Sequence, residues 1–233
     1  MACFALIHSP LVGPLTWKLV AQQLKEAGHT VILPTLMDNG SSPFCLQHAD
    51  SAAKAISQNG TDTCILVGHS GAGPLLPLIG AEMNIPVSAY IFVDAGLPQP
   101  NTSRLEMLKN EIPAQAEDFE TFLKNGGCYP QWQDADLHPL LPDLLLRRQM
   151  LAELNSRDLS FFTEIIPPSP GWETNLCGYI QLSSGYTVPA DHARQKGWPV
   201  FEFQAGHFHL LVEPQVVANA LVQMASQLLH NRA

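Results

Sequence analysis

Short apolar runs recur in the first part of the chain and again near its end. They predict strands over residues 3–8, 30–33, 63–67, 87–93, 177–182 and 200–203. Segments with helical spacing of apolar residues separate these runs and cover residues 17–24, 46–58, 190–196 and 216–229. Strands that alternate with helices form βαβ units, and continuous apolar runs suit strands covered on both faces. The pattern therefore predicts an α/β fold with a mostly parallel sheet flanked by helices.

The segment over residues 99–175 departs from this pattern. Strand signals are absent from it, and short helical patterns alternate with prolines. These helical patterns cover residues 103–110, 115–124 and 142–154. Because sheet signals return afterwards, the segment is predicted to be a mostly helical cap inserted into a single domain over residues 1–233. The core of that domain is expected to comprise residues 1–98 and 176–233.

Composition and charge exclude several classes of protein. Hydrophobic residues make up 46% of the chain and charged residues 14%, which is typical of a globular protein with a large core. The net charge of −9 argues against nucleic acid or an anionic membrane surface as a partner. No apolar run is long enough to cross a bilayer. We therefore expect a small molecule as the ligand. Whether two copies of the chain form a homodimer is left undecided by the sequence.

The first residues and the cysteines indicate a cytoplasmic protein. Residues 1–8 have no basic residue ahead of their apolar run, unlike a secretory signal peptide. The five cysteines are odd in number, which favours a reducing compartment, and their spacing is not that of metal ligands. No metal site and no cofactor are predicted.

The chemistry is expected to centre on Ser70. The strand over residues 63–67 runs into the sequence GHSGAG at 68–73, and a helix is predicted to follow. Small residues around Ser70 permit a very sharp turn that holds the serine in strained geometry with its hydroxyl exposed. The N–H of Gly71, at the helix start, would then point at a developing oxyanion. The alternative is a glycine-rich turn that merely packs tightly.

A serine nucleophile needs a general base, because its hydroxyl is protonated at neutral pH. At the carboxyl edge of a parallel sheet, this base is expected from a loop after a late strand. His207 follows the strand over residues 200–203, directly after Gly206, which lets the loop turn toward that edge. We predict His207 as the base. His209 is the competitor, and a structural histidine is the alternative for both.

Several motifs together resemble the α/β-hydrolase fold family. GHSGAG at 68–73 is similar to the family's nucleophile elbow, G-x-S-x-G, with its last glycine one residue later. GHFHLLVEP at 206–214 resembles the histidine loop of small α/β-hydrolases, and IHSP at 7–10 resembles their oxyanion loop. YIFVDAGLP at 90–98 resembles the strand before the cap in plant methyl esterases and hydroxynitrile lyases. The resemblance implies an α/β-hydrolase fold and a catalytic triad.

The acid of this triad is missing from the family's usual place. That place follows the strand after the cap, where residues 183–187 contain no carboxylate. The family's other position follows the strand that leads into the cap, where Asp94 stands. An aspartate at the end of a buried strand is costly unless it is paired, and His207 would pair it. Asp94 is therefore the predicted acid, with Asp191 and Glu202 as alternatives.

The oxyanion loop also departs from the family pattern. Ser9 replaces the glycine that usually follows the loop histidine, and Pro10 has no N–H to donate. The N–H of Leu11 is the predicted second donor beside that of Gly71, and the hydroxyl of Ser9 is an alternative. The residues predicted to contact the substrate are Ser9, Trp17 and His69.

These residues predict a serine hydrolase, a carboxylesterase that acts on a small, largely apolar ester. Ser70 would attack the ester, His207 would transfer the proton, and Asp94 would orient His207. A non-hydrolytic protein of the same fold, such as a lyase, a cyclase or a ligand receptor, is the main alternative. A dinucleotide-binding oxidoreductase would use residues 71–73 as its phosphate turn, but the third glycine of that motif falls at Leu76.

Overall fold

The computed structural model of the protein describes residues 1–59 and 61–230. In chain order, its strands and helices are β1 (Cys3–Ile7), α1 (Leu15–Glu26), β2 (Thr30–Ile32), α2 (Phe44–Ser57), β3 (Cys64–Ser70), α3 (Leu76–Glu82), β4 (Val87–Ala95), β5 (Thr102–Ser103), α4 (Arg104–Glu111), α5 (Pro113–Lys124), α6 (Asp134–Leu137), α7 (Leu144–Ala152), α8 (Leu159–Thr163), β6 (Ile165–Ile166), β7 (Cys177–Gln181), α9 (Thr187–Gln195), β8 (Val200–Glu202), α10 (His209–Val212) and α11 (Pro214–His230). Among these helices, none combines the length and the hydrophobicity that crossing a bilayer requires.

Six strands form one sheet in the order β2-β1-β3-β4-β7-β8. Every pairing between neighbouring strands of this sheet is parallel. Strands β4 and β7 are neighbours although the long inserted segment separates them in the sequence. The predicted α/β fold with a parallel sheet is confirmed. Because all six strands run the same way, the loops after β1, β3, β4, β7 and β8 leave the sheet at one edge.

A helical layer covers each face of the sheet, so successive side chains of one strand enter different cores. Along β1, Ala5 and Ile7 pack in a cluster that includes residues of α2, α3 and α9. Phe4 and Leu6 pack in a second cluster with residues of α1 and α11. This two-sided burial is the physical reason why the strands are continuous apolar runs rather than alternating ones.

The chain between β4 and β7 forms five helices, α4 to α8, and a two-stranded antiparallel ribbon. In this ribbon Thr102 pairs with Ile166, and Ser103 pairs with Ile165. The sequence analysis expected no strands here, because two-residue strands leave no apolar run to detect. The ribbon joins the two ends of the inserted segment, close to where the chain leaves β4 and returns to β7.

Charged side chains tie the inserted segment to the rest of the domain. The guanidinium of Arg157 pairs with the carboxylate of Asp38, in the loop after β2. The carboxylate of Glu164 accepts the backbone N–H groups of Phe44 and Cys45 in the first turn of α2. The Glu164 contact is stabilising because it brings negative charge to a helix N-terminus. Together with the Arg157–Asp38 ion pair, it favours the observed position of the segment.

Candidate active site

Ser70 lies at a sharp turn between β3 and the helix that follows. Its φ is +57°, in the left-handed region that residues with side chains rarely adopt. A Cβ at Gly68 would lie 2.9 Å from the side chain of Leu76, and one at Gly73 would lie 2.1 Å from the carbonyl oxygen of Gly96. The second contact explains why the last glycine of the motif falls at 73.

Replacing Gly73 with Ala is expected to destabilise the protein by about 2 kcal/mol. The new methyl group would overlap with the Gly96 carbonyl, a backbone atom that cannot rotate away. Urea unfolding of the two proteins would measure the difference. The matched control is Gly185→Ala, because a Cβ at Gly185 would meet nothing closer than Ser183 Oγ at 3.8 Å. Equal stability of the two variants would show that the turn adapts to the methyl group.

The carboxyl end of β4 brings Asp94 into contact with His207. The Nδ1–H of His207 donates to Oδ2 of Asp94 at 2.8 Å, and the carboxylate is fully buried. A carboxylate only accepts hydrogen bonds, so Nδ1 carries a proton, and in the neutral imidazole the lone pair is then on Nε2. That is the tautomer that a general base requires. The predicted base and the predicted acid are thus in direct contact.

Asp94 accepts three further hydrogen bonds from the loop after β7. The backbone N–H groups of Leu182 and Ser183 donate to Oδ1 at 2.8 and 2.9 Å, and the Ser183 hydroxyl donates to Oδ2 at 2.6 Å. Burial acts to raise the pKa of Asp94, but the hydrogen bonds from His207 and Ser183 outweigh it and lower the pKa overall. The loop that carries no acid therefore supplies donors that keep Asp94 ionised.

The alternative acids have other partners. Asp191 and Glu202 are exposed, and each pairs with Arg194 at 2.6 Å. The competing base, His209, begins α10 and has no carboxylate partner among the described residues.

Within that same part of the chain, no group of three or more His, Cys, Asp or Glu residues is arranged to hold a metal ion.

Two other rings stack on the imidazole of His207. The ring of His69 lies 4.4 Å from it, centroid to centroid, and the ring of Tyr186 lies 5.1 Å away with its plane only 6° off parallel. The Nε2–H of His69 donates to the carbonyl oxygen of His207 at 3.1 Å. Burial lowers the pKa of His69 to about 3, so this ring stays neutral. His69 is buried and supports the His207 loop, which corrects its predicted role in substrate contact.

Tyr186 is a site residue that the sequence analysis missed. Its Oη lies 3.2 Å from Ser70 Oγ. In the described part of the chain, Ser70 makes no hydrogen bond to His207. Burial raises the pKa of the Tyr186 phenol well above its ordinary value, so the hydroxyl is protonated. The signal in the sequence is its position just after β7, in the loop where the family usually carries the acid.

The oxyanion loop is held against Ser70 from two sides. A Cβ at Gly71 would lie 2.9 Å from Ser9 Oγ, so the two residues are in close contact. The inserted segment contributes Asn155, whose backbone N–H donates to the Leu11 carbonyl and whose amide donates to the Pro10 carbonyl. The Leu11 N–H donates to Ser9 Oγ at a long 3.3 Å. Its use as the second oxyanion donor, and substrate contact by Ser9, stay predictions.

Trp17 is a core residue, and its predicted contact with a substrate is wrong. The side chain is fully buried in the face of the sheet that α1 and α11 cover. Its Nε1–H donates to the carbonyl oxygen of Ile7 at 3.0 Å. The indole therefore fixes the end of β1, directly before the oxyanion loop, and has no surface left for a ligand.

The parallel sheet, the strained serine turn and the histidine paired with a buried aspartate are features of the α/β-hydrolases. Residues 4–220 match the Alpha/beta hydrolase family, and the chain belongs to this family.

Among its relatives, Methylesterase 7 of Arabidopsis thaliana is 24% identical over 253 residues, covering 96% of each protein. The "Carbendazim hydrolyzing esterase" of Nocardioides sp. (strain SG-4G) is 25% identical over 122 residues, which are 49% of this chain and 50% of that protein. A Paenibacillus extracellular α/β-hydrolase, described as sharing homology with tobacco salicylic acid binding protein 2, superposes with a TM-score of 0.78 at 18% identity. That match covers 96% of this chain and 99% of the other. Relatives of this chain are thus named as esterases.

Proposed function

We propose that this protein is a serine esterase that hydrolyses a small, largely apolar carboxylic ester. The observation that carries the proposal is the hydrogen bond from His207 to the buried carboxylate of Asp94, beside a serine with strained backbone. A neutral imidazole with its lone pair on Nε2 and an ionised partner on Nδ1 is the form that activates a serine.

In this proposal the reaction takes two steps. Ser70 Oγ adds to the ester carbonyl carbon while its proton passes to Nε2 of His207, and the N–H of Gly71 stabilises the oxyanion. The ester C–O bond then breaks, and the departing alkoxide takes the proton from His207. Water hydrolyses the acyl-enzyme by the same route in reverse order. Before attack, Ser70 Oγ has to exchange Tyr186 for His207 as its hydrogen-bond partner.

Apolar side chains beside the catalytic residues support an apolar substrate. Leu11, in the oxyanion loop, and Phe119 and Tyr129 of the inserted segment are half-buried and pack against the same cluster of buried apolar residues. Trp132 lies 5.8 Å from both Tyr129 and Phe208, and Phe208 directly follows His207. The half-buried rings of Tyr129 and Trp132 offer an apolar surface, and the buried ring of Phe208 links Trp132 to His207. Because one relative is named a methylesterase, a methyl ester is the first substrate to test.

The test is a reaction with a fluorophosphonate, followed by intact-mass measurement and peptide mapping. An activated serine displaces fluoride and keeps the phosphonyl group, whereas an ordinary serine does not react. We expect one adduct, on Ser70, and its loss in His207→Ala. The control is His230→Ala, in the last turn of α11, which should react like the wild type. A folded wild-type protein without an adduct would contradict the proposal.

A non-hydrolytic protein of the same fold is the second candidate. Two observations favour it: Ser70 bonds to Tyr186 instead of His207, and the Leu11 N–H is occupied by Ser9 Oγ. A lyase, a cyclase or a receptor needs no acyl-enzyme. Such a protein would bind apolar ligands but would release no alcohol from a methyl ester and would accumulate no acyl-enzyme.

A further inference from the structure

Tyr186 occupies a position that the proposed hydrolysis does not yet use. Its hydroxyl lies 3.2 Å from the nucleophilic oxygen of Ser70, and its ring stacks on the imidazole of His207. A single side chain therefore touches both groups that exchange the proton. Because the phenol is protonated, it can donate a hydrogen bond and cannot serve as a base.

The sheet order places Tyr186 and the oxyanion loop on different sides of Ser70. Ser70 ends β3, the oxyanion loop follows β1 on one side, and Tyr186 follows β7 beyond β4 on the other. In the proposed reaction the carbonyl oxygen of the ester turns toward the N–H of Gly71, beside Ser9. The alkoxy oxygen has to approach Nε2 of His207, because His207 protonates it. The Tyr186 hydroxyl is thus nearer to the leaving oxygen than to the oxyanion.

We propose that Tyr186 is a further catalytic residue, whose hydroxyl donates a hydrogen bond to the alkoxy oxygen of the ester as the C–O bond breaks. This inference rests on the proposed esterase function. In the resting protein the hydroxyl bonds to Ser70 Oγ; when Ser70 attacks and turns to His207, the donor is released. The proton that the alkoxide finally takes still comes from His207, and Tyr186 remains protonated throughout. Negative charge on the leaving oxygen is what the extra donor stabilises.

The test compares Tyr186→Phe with the wild type on two esters of one acid, a methyl ester and a 4-nitrophenyl ester. Methoxide is a poor leaving group and needs the donor, whereas nitrophenolate leaves without help. We expect kcat/KM to fall about tenfold or more for the methyl ester and by less than about threefold for the nitrophenyl ester. The value of kcat/KM reports the acylation half-reaction, in which the two esters differ. Phenylalanine keeps the ring that stacks on His207.

The control variant is Tyr90→Phe, which removes the hydroxyl of a buried tyrosine packed against Gly80. Tyr90 lies in the first half of β4, whereas Asp94 lies at the end of that strand. It should leave both rates unchanged. An equal fall for both esters in Tyr186→Phe would overturn the inference, since a structural or oxyanion role does not depend on the leaving group. A rise in kcat/KM for both esters would overturn it as well, because the hydrogen bond from Tyr186 would then only slow the attack by Ser70. Wild-type protein that cleaves neither ester and forms no fluorophosphonate adduct would reject the esterase function itself, and this role with it.

Discussion

Replacing Ser70 with Ala is expected to lower the rate of methyl-ester hydrolysis by at least about 10⁴-fold. Alanine removes the only atom that can form the acyl-enzyme, while Gly71, His207 and Asp94 keep their positions. The stability should change by about 1 kcal/mol or less, because the Ser70 hydroxyl makes a single hydrogen bond within residues 1–59 and 61–230, to Tyr186. The backbone strain at φ +57° is the same for both residues.

Initial rates of alcohol release and the fluorophosphonate adduct would measure the effect of Ser70→Ala. The control is Ser226→Ala, which also removes one hydroxyl but lies on the exposed side of α11. Ser226→Ala should retain full activity and the adduct. If Ser70→Ala kept more than about 1% of the wild-type rate, Ser70 would not be the nucleophile, and water activated directly by His207 would become the better mechanism.

Much of this site follows from the strand pattern, because a parallel sheet collects the ends of its strands at one edge. Once the strands over residues 63–67, 87–93 and 200–203 were predicted, Ser70, Asp94 and His207 had to lie near one another. Asp94 is predictable as the acid because a carboxylate that ends a buried strand needs a partner. In the structure, these predicted strands became β3, β4 and β8 of one parallel sheet.

Side-chain directions could not be predicted in the same way. Trp17 lies on an amphipathic helix close to the oxyanion loop, and only the packed structure shows that it faces the core. His69 precedes Ser70 along β3, so its side chain leaves the strand on the opposite face, where its ring stacks on that of His207. Tyr186 follows a short turn after β7, and the direction of its hydroxyl depends on contacts with Ser70 and His207 that no local pattern encodes.

Replacing Asp94 with Asn is expected to lower kcat by about 10³- to 10⁴-fold. The carboxylate accepts four hydrogen bonds, from two backbone N–H groups, the Ser183 hydroxyl and His207. An amide has one oxygen and one NH₂ group, so it cannot accept all four. If its NH₂ faces His207, it donates to Nδ1 and moves the imidazole proton to Nε2. The base is then in the wrong tautomer to accept the proton of Ser70.

The matched control for Asp94→Asn is Asp191→Asn, the same substitution at the alternative acid. Asp191 is exposed and bonded to Arg194, so its loss should change kcat by less than about twofold. A fluorophosphonate reaction that is slow in Asp94→Asn but complete after long incubation would show that Ser70 is intact and only its base is impaired. Equal losses in both variants would reject Asp94 as the acid. Because His207 then has no other carboxylate partner among the described residues, such a result would also reject the triad and favour the non-hydrolytic candidate.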